Sequence, residues 1–241
     1  MQDPKISIII PVLNEATTIE ATLTLLQDTP DIEIIVVDGG SRDQTIKIVN
    51  FLSKRLAPSL SIKIISTTAG RAHQMNAGAA VARGDILLFL HGDTYLPPKF
   101  NLLLLQALQD PVTIAGAFEL QINAQLPGLR LVEKMVNMRS RFFSLPYGDQ
   151  AIFMKKSVFE EIDGFPNLPI MEDFELMLAL RKLGKVVIIA APVITSGRRW
   201  QKLGVVKTTL LNQLIIAGYF MGISPNLLVR WYRQGGFKRS K

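Results

Sequence analysis

Cysteine is absent from the 241 residues of this chain. Its absence excludes disulfide bonds, a thiolate zinc site and a cysteine nucleophile. Glycine and proline number 17 and 13, ordinary amounts that exclude collagen-like and low-complexity chains. Charged residues make up only 20% of the sequence against 48% hydrophobic residues, which is the composition of a folded domain with a full core.

Positive charge is in moderate excess. Lysine and arginine number 27 against 20 acidic residues, which gives a net charge of +7. Such a balance suits an anionic partner, whether nucleic acid, a phosphorylated ligand or a membrane face. The first apolar stretch is short, Asp3 precedes it, and no small-residue cleavage site follows it. We therefore expect no signal peptide and a cytoplasmic location.

Short β-branched runs alternate with helical patterns in the first part of the chain. The runs are apolar on both faces, which predicts buried parallel strands in a βαβ arrangement. We predict strands at Ile6–Val12, 34–37, 62–65 and 86–90. We predict helices at 16–27, 43–56 and 71–82.

The second part of the chain is less regular. We predict strands at 113–122, 151–154 and 186–190 and helices at 97–109, 129–142 and 172–183. No Ser/Gly-rich linker divides the chain. We therefore expect one α/β domain over residues 1–200, with halves at about 1–95 and 96–200, and a C-terminal helical extension over 201–241.

Polar residues follow three of the predicted parallel strands. Ligands of open α/β sheets bind beyond the carboxyl ends of the strands, so these residues are the first candidates for a site. They are Asn14, Glu15, Asp38, His91 and Asp93, and Gly39 adjoins Asp38. Helix capping is an alternative explanation for Asn14. Neither a G-x-G-x-x-G nor a G-x-x-x-x-G-K-[ST] motif is present, which disfavours dinucleotide and P-loop chemistry.

Six motifs, spread over about residues 5–200, resemble those of family 2 glycosyltransferases with the GT-A fold. They occur in the order found in that family. They are the segments 7–15, 37–45, 70–78, 84–94, 148–150 and 171–173. The resemblance implies an open, mostly parallel sheet flanked by helices, and a hexosyltransferase-like enzyme that uses a nucleoside diphosphate sugar as donor.

The resemblance also implies which residues bind the nucleotide sugar. Pro11, Asn14 and Glu15 would line the base and ribose pocket, and Asp38 beside Gly39 would accept a hydrogen bond from the base. Arg71 would lie along the diphosphate or the base. The alternative for Arg71 is a solvated helix start. Asn76 and Gly78, on the same segment, would shape the pocket.

His91-Gly92-Asp93 stands where the family has a D-x-D motif that holds Mn²⁺ or Mg²⁺ against the diphosphate. Asp93 is the expected direct metal ligand. The first position is His91 instead of an aspartate, which leaves open whether His91 ligates the metal, bonds the ribose or orients Asp93.

Glu172-Asp173 resembles the acidic pair of the family, in which the aspartate is the general base. Asp173 would take the proton of the acceptor hydroxyl as that hydroxyl attacks the anomeric carbon, and Glu172 would be part of the same catalytic pair. The implied reaction is one in-line displacement with inversion. The alternative is that two acids merely favour a helix N-terminus.

Two further motifs indicate the acceptor or diphosphate side of the site. Gly148-Asp149-Gln150 is expected to face the acceptor, with an ordinary turn as the alternative. Arg199-Trp200 matches the end of the Q-x-x-R-W motif of processive members, where arginine pairs with phosphate and tryptophan stacks on sugar. Ser196 stands in place of the glutamine, which argues against a processive synthase.

The extension has no charged residue over 208–229. Cations flank this segment, at Lys202, Lys207, Arg230, Arg233, Lys238, Arg239 and Lys241. Apolar surface bordered by cations fits a peripheral helix on the anionic inner face of a membrane, where a lipid-linked acceptor would be found. The alternative is helices packed on the core or on another subunit.

Other classes of function remain to be weighed against sugar transfer. A nucleotidyltransferase would need a Gly-rich basic loop after the first strand, which is missing. A nucleic-acid-binding module would interleave basic and aromatic residues on one face, and we expect no nucleic-acid partner. His91 motivates a third class, a catalytically degenerate module that binds sugar nucleotides or membranes.

Overall fold

The computed structural model describes residues 5–57 and 59–235. Asp3 and three of the cations named above, Lys238, Arg239 and Lys241, lie outside the described residues.

Four parallel strands form the first half of the sheet, as the sequence predicts. They are β1 (Ile6–Val12), β2 (Ile32–Asp38), β3 (Ser61–Ser66) and β4 (Ile86–Phe89). Every residue of β1, β2 and β4 is buried. The interpretation of 62–65 as a buried strand is wrong, because β3 lies at the edge of the sheet and is partly exposed.

The helices between these strands are α1 (Ile19–Thr24), α2 (Thr45–Leu56) and α3 (Arg71–Ala80). Each lies within its predicted range, and α1 is shorter at both ends. Helix α3 packs closely on the sheet at Gly78, where an added Cβ would lie 2.5 Å from Cγ2 of Ile9.

The second half adds four strands and four helices among the described residues. Together with the first half they make an eight-stranded sheet in the order β3-β2-β1-β4-β7-β6-β8-β5. The new strands are β5 (Thr94–Tyr95), β6 (Thr113–Asn123), β7 (Phe153–Lys155) and β8 (Lys185–Ser196). The new helices are α4 (Phe100–Ala107), α5 (Leu129–Phe143), α6 (Lys156–Glu161) and α7 (Glu172–Leu183). Strand β7 runs antiparallel to both of its neighbours, so the sheet is mixed.

Three helices complete the described chain: α8 (Arg198–Leu203), α9 (Val205–Phe220) and α10 (Pro225–Gln234). Helices α9 and α10 pack on the start of α7, where Phe174 joins Leu211, Ile215 and Leu228 in one apolar cluster. The predicted alternative of helices packed on the core therefore holds for one face of α9. None of the described helices is long and apolar enough to cross a membrane.

Candidate active site

Side chains from the strand ends and from the C-terminal helices line one cavity of about 250 Å³. The sequence-predicted members of this lining are Arg71, His91, Asp93, Asp149, Asp173, Arg199 and Trp200. Helices α9 and α10 close the cavity with Thr208, Asn212, Ile216 and Tyr232. The cavity therefore combines acids, cations and aromatic rings from segments that are far apart in the sequence.

The turn after β4 carries His91 and Asp93 and is fixed to the end of β8. The amide of Ser196 donates to the carbonyl of Asp93 over 3.1 Å, and the hydroxyls of Thr94 and Thr195 are 2.9 Å apart. This pairing brings the start of α8 beside the turn and places Arg199 and Trp200 near Asp93.

Asp173 lies in the first turn of α7, and backbone amides hold its carboxylate. The amide of Gly148 donates to Oδ2 over 2.7 Å, and the amide of Phe174 donates to Oδ1 over 2.8 Å. Met171, just before the helix, has a φ of 69°, so the chain turns sharply into α7. A carboxylate oriented in this way can accept a proton from a ligand in the cavity.

Glu172 is not among the residues that line the cavity. Its side chain is 1% exposed and pairs with Nε of Arg71 over 2.7 Å. Burial raises the pKa of Glu172, the charge of Asp173 raises it further, and Arg71 opposes both. This contact holds Arg71 in place, and the catalytic role of Glu172 stays a prediction.

Asp149 is the second acid beside Asp173. Its Oδ1 atom is buried and has no hydrogen-bond partner among the described residues. Burial and the neighbouring charge of Asp173 raise the pKa of Asp149 to about 6, although Arg139 and Arg71 favour the ionised form. A buried polar atom without a partner is costly, so this oxygen is positioned to meet a ligand.

His91 is a neutral imidazole at physiological pH. Burial, together with the positive charge of Arg71, lowers its pKa to about 4, and Asp93 and Asp173 only partly oppose this. A neutral imidazole keeps a lone pair and can either accept a hydrogen bond or ligate a metal. Metal ligation, a hydrogen bond to the ribose and orientation of Asp93 all stay predictions for His91.

Arg198 is a residue that the sequence reasoning missed. Its Nη2 lies 2.7 Å from Oε2 of Glu15 and 2.9 Å from Oδ2 of Asp93, so one guanidinium joins the loops after β1 and β4. The signal in the sequence is the run Ser196-Gly197-Arg198-Arg199, in which only the second arginine matches the family motif. The ends of the two strands can be recognised from the sequence, but the distance between them and α8 cannot.

Two tyrosines of the cavity were also missed, and each carries an arginine on its ring. The guanidinium carbon of Arg199 lies 3.7 Å from the ring centroid of Tyr232, and that of Arg139 lies 3.6 Å from the ring of Tyr147. Stacking fixes the planes of both guanidinium groups. Nε of Arg199 and Nε and Nη2 of Arg139 have no hydrogen-bond partner among the described residues.

The loops after β1 and β2 form a separate, preorganised edge next to the cavity. Asn14 has a φ of 58°; its side-chain Oδ1 accepts a hydrogen bond from the backbone amide of Arg42 over 2.8 Å, and its backbone N–H donates to the hydroxyl of Ser41. Asp38 accepts the amide of Ser41 over 3.0 Å. Asn14, Glu15, Asp38 and Gly39 are outside the cavity lining, and Glu15 adjoins it through Arg198.

Four further predicted site residues make contacts within the protein, and their contact with ligands stays a prediction. Pro11 is buried within β1, and Gly78 lies against Ile9 because its lack of a side chain admits the strand. Asn76 exchanges two hydrogen bonds with the backbone of Phe165. Gln150 is fully buried and donates to the carbonyl of Phe118 over 2.9 Å. Gly148 contributes its amide to Asp173, as described above.

The acids of the cavity do not make a complete metal cage. No group of three or more His, Asp or Glu side chains able to hold a metal ion occurs within residues 5–57 and 59–235. A divalent cation with a nucleotide typically takes one or two protein carboxylates and completes its shell with phosphate and water oxygens. The donor set of Asp93 and neutral His91 fits that partial role.

The comparisons with known proteins agree with this geometry. The family model described as "Glycosyl transferase family 2" matches residues 7–162. A "PGL/p-HBAD biosynthesis glycosyltransferase" of Mycobacterium bovis is 41% identical over 98 residues, 40% of this chain and 38% of that protein. The "Probable glycosyltransferase YdaM" of Bacillus subtilis is 28% identical over 209 residues, 75% of this chain and 47% of that protein. The chain thus spans less than half the length of these relatives.

Solved structures share the fold at low sequence identity. The mannosyltransferase PcManGT from Pyrobaculum calidifontis, in complex with GDP-Man and Mn²⁺, has a TM-score of 0.67 at 21% identity, over 88% of this chain and 63% of that one. S. aureus TarS in complex with UDP has a TM-score of 0.65 at 20% identity, over 80% of this chain and 60% of that one. These likenesses show the GT-A glycosyltransferase fold.

Proposed function

The chain belongs to glycosyltransferase family 2, and we propose that it transfers a sugar from a nucleoside diphosphate sugar to an acceptor hydroxyl with inversion. The observation that carries this proposal is the convergence of Asp93 and Asp173 on one cavity that also holds the cations Arg71 and Arg199. PcManGT and TarS were each solved with a sugar nucleotide, GDP-Man and UDP-GlcNAc respectively, which supports a donor of that class here.

In the proposed reaction the acceptor oxygen forms a bond to the anomeric carbon while the bond from that carbon to the diphosphate oxygen breaks. Asp173 receives the proton of the acceptor hydroxyl, and its two backbone hydrogen bonds hold the carboxylate in position. A single displacement by an oxygen on the opposite face inverts the anomeric configuration. The nucleoside diphosphate departs with the electron pair of the broken bond.

The cations of the cavity stabilise the negative charge that develops on the departing diphosphate. Arg71 is held by Glu172 over 2.7 Å, and Arg199 is held by the ring and the backbone carbonyl of Tyr232. Preorganised positive groups in a cavity stabilise such charge without reorganising during the reaction. Trp200 offers a ring face on which the sugar of the donor or acceptor can stack.

Asp93 and His91 are the residues that would hold Mn²⁺ or Mg²⁺. A bound divalent cation would supply additional positive charge beside the diphosphate. Arg198 donates to Asp93 over 2.9 Å, so a guanidinium also balances the charge of this carboxylate.

Donor binding tests the first half of the proposal. We expect one nucleoside diphosphate of a panel to raise the melting temperature of the full chain, with the increase largest when Mn²⁺ or Mg²⁺ is present and reduced by a chelator. Asp93→Asn should lose the metal-dependent increase. Asp28→Asn, which removes the same charge at an exposed remote position, should retain it. A panel without any stabilising nucleotide would contradict the proposed donor class.

Chemistry tests the second half. Transfer is measured as nucleoside diphosphate release with a panel of sugar and alkyl acceptors, and the anomer of the product is read by NMR. We expect Asp173→Asn to slow transfer by about 10²–10⁴-fold while donor affinity is retained, because only the proton acceptor is removed. Donor binding without transfer by the wild-type chain would favour a degenerate sugar-nucleotide-binding protein. Retention of the donor's anomeric configuration would contradict the single displacement.

A further inference from the structure

Helix α9 carries a row of exposed apolar residues beside the polar Lys207 and Gln213, in addition to its apolar buried face. Its exposed row consists of Val206, Leu210, Leu214 and Phe220, followed by Met221 just after the helix, with exposures of 72, 64, 37, 69 and 73%. The opposite face packs on the core through Leu211 and Ile215. Contiguous apolar residues exposed at a protein surface mark a site of interaction, so this row is a candidate contact surface.

Helix α5 presents a second exposed apolar row. Leu131, Met135, Met138 and Phe142 recur at intervals of four, three and four residues and are 62, 54, 51 and 77% exposed, and Phe143 beside them is 60% exposed. That spacing places the four on one side of the helix. The two helices begin side by side, because a Cβ added to Gly128 would lie 3.9 Å from Cγ1 of Val205. We call the two exposed rows together the α5–α9 face.

The charges beside the α5–α9 face are of one sign. Residues 198–234 contain six arginines and lysines and no aspartate or glutamate. Lys202, Lys207, Arg230 and Arg233 are exposed among them. The acid of α5, Glu133, is buried and paired with Arg130 over 2.6 Å. A second copy of the chain would bring cations against cations, whereas an anionic lipid surface complements both the apolar rows and the charges.

We propose that the α5–α9 face lies on an anionic membrane and that the acceptor is anchored in that membrane by a lipid. The second statement rests on the proposed function. Helix α9 connects the two, because Thr208, Asn212 and Ile216 line the catalytic cavity while Val206 and Leu210 belong to the exposed row. Only the width of one helix, about 10 Å, therefore separates the lipid surface from the cavity that holds Asp173.

Vesicle binding of the full chain tests the membrane contact. We expect sedimentation with vesicles of phosphatidylcholine mixed with phosphatidylglycerol, little sedimentation with phosphatidylcholine alone, and weaker binding at high salt. The double variant Leu210→Gln/Phe142→Gln should reduce the bound fraction several-fold. The matched double variant Leu102→Gln/Phe51→Gln removes apolar residues that are 58 and 61% exposed on other helices and should bind as the wild type does.

Each outcome decides the proposal. The membrane contact is overturned if both double variants lose vesicle binding equally, or if the wild type does not bind anionic vesicles. A dimer in light scattering that the first double variant abolishes, without vesicle binding, assigns the α5–α9 face to a second copy and also overturns it. Donor binding measured without vesicles must be the same in both double variants, which separates misfolding and failure of the proposed function from failure of this inference.

The proposed lipid-linked acceptor is tested separately, by comparing transfer to an embedded and to a water-soluble acceptor. We expect transfer to a lipid-linked hydroxyl embedded in anionic vesicles to fall in Leu210→Gln/Phe142→Gln, with transfer to a water-soluble acceptor analogue unchanged. Equal activity of the variant and the wild type on the embedded acceptor would overturn the lipid-linked assignment even if the membrane contact is confirmed.

Discussion

Asp149 should make donor binding depend on pH. Its pKa is raised to about 6, so the carboxyl is largely neutral below that pH and becomes negative above it. The added negative charge repels an anionic donor, and we expect affinity for a nucleotide sugar to weaken by a few-fold as the pH rises through about 6. Asp149→Asn keeps the side chain neutral and should remove this dependence. Calorimetric titration with a nucleotide sugar, whose diphosphate has no proton to lose in this range, provides the measurement.

If the affinity of Asp149→Asn for the donor still falls as the pH rises through about 6, the pH dependence belongs to another group. His91 makes no contribution there, because its pKa of about 4 leaves it neutral throughout the interval. The sign of the effect is also informative. Affinity that rises with pH would mean that the carboxylate form of Asp149 accepts a hydrogen bond from the donor.

The sequence could place some single residues in the cavity, because they stand at the recognisable end or start of an element. It could not place residues whose side chains can turn to more than one partner. Asp93 follows a strand whose end is recognisable, Asp173 lies at a recognisable helix start, and both line the cavity. Glu172 adjoins Asp173, yet its side chain is buried against Arg71. Neighbours in a helix point about 100° apart, so adjacency in a motif does not imply a shared site.

At the scale of the elements, Gly78 sets how closely α3 approaches the sheet. In Gly78→Ala the new Cβ would lie 2.5 Å from Cγ2 of Ile9 and 3.0 Å from Cγ2 of Val37. Overpacking of this kind costs about 1–3 kcal/mol, and the better helix propensity of alanine returns about 1 kcal/mol. Because both contacts are to buried strand residues, we expect net destabilisation in urea unfolding.

Ala80→Gly is the matched control for this substitution. Ala80 is exposed on the same helix, so the change reports the helix propensity difference without the clash. Gly78→Ala with a stability equal to or above that of the wild type would mean that α3 can move away from β1 without penalty.

The position of α8 at the sheet edge predicts that Arg198 and a divalent metal ion compete for the carboxylate of Asp93. The guanidinium of Arg198 lies 2.9 Å from Asp93 and 2.7 Å from Glu15. Arg198→Ala frees the Asp93 carboxylate, and we expect Mn²⁺ alone to bind several-fold more tightly, as measured by electron paramagnetic resonance. Lys202→Ala removes the same charge from the same helix and should have a smaller effect. Equal effects would indicate general electrostatics instead of competition at Asp93.

Elements with a strict pattern could be predicted closely, and elements defined by tertiary contacts could not. Strand β1 and helix α7 have their predicted bounds, because a β-branched run and a helix with acids at its start and cations at its end are strong local signals. Strand β8 extends to Ser196, six residues beyond the predicted end. Its pairing with β6 and β5 supports that extension, and such pairing leaves no periodic signal in the sequence.

At the scale of the whole molecule, the predicted separation of an extension at 201–241 has a testable consequence. Leu211 is 5% exposed and packs with Phe174, next to the proposed base Asp173, whereas its neighbour Leu210 is 64% exposed. If α9 is part of the catalytic core, Leu211→Ala should lower the free energy of unfolding by about 2–5 kcal/mol, the usual cost of emptying a buried leucine site.

Leu210→Ala removes the same atoms one residue earlier and completes the comparison. We expect it to leave the unfolding free energy nearly unchanged and to weaken binding to anionic vesicles, because it truncates the exposed row alone. Leu211→Ala should instead reduce donor-induced stabilisation, since the cavity is lined on this side by residues of α9. Equal stability of the two variants would mean that α9 folds as a separable extension. Loss of stability only in Leu211→Ala, together with loss of vesicle binding only in Leu210→Ala, would show that α9 seals the cavity with one face and contacts the lipid with the other.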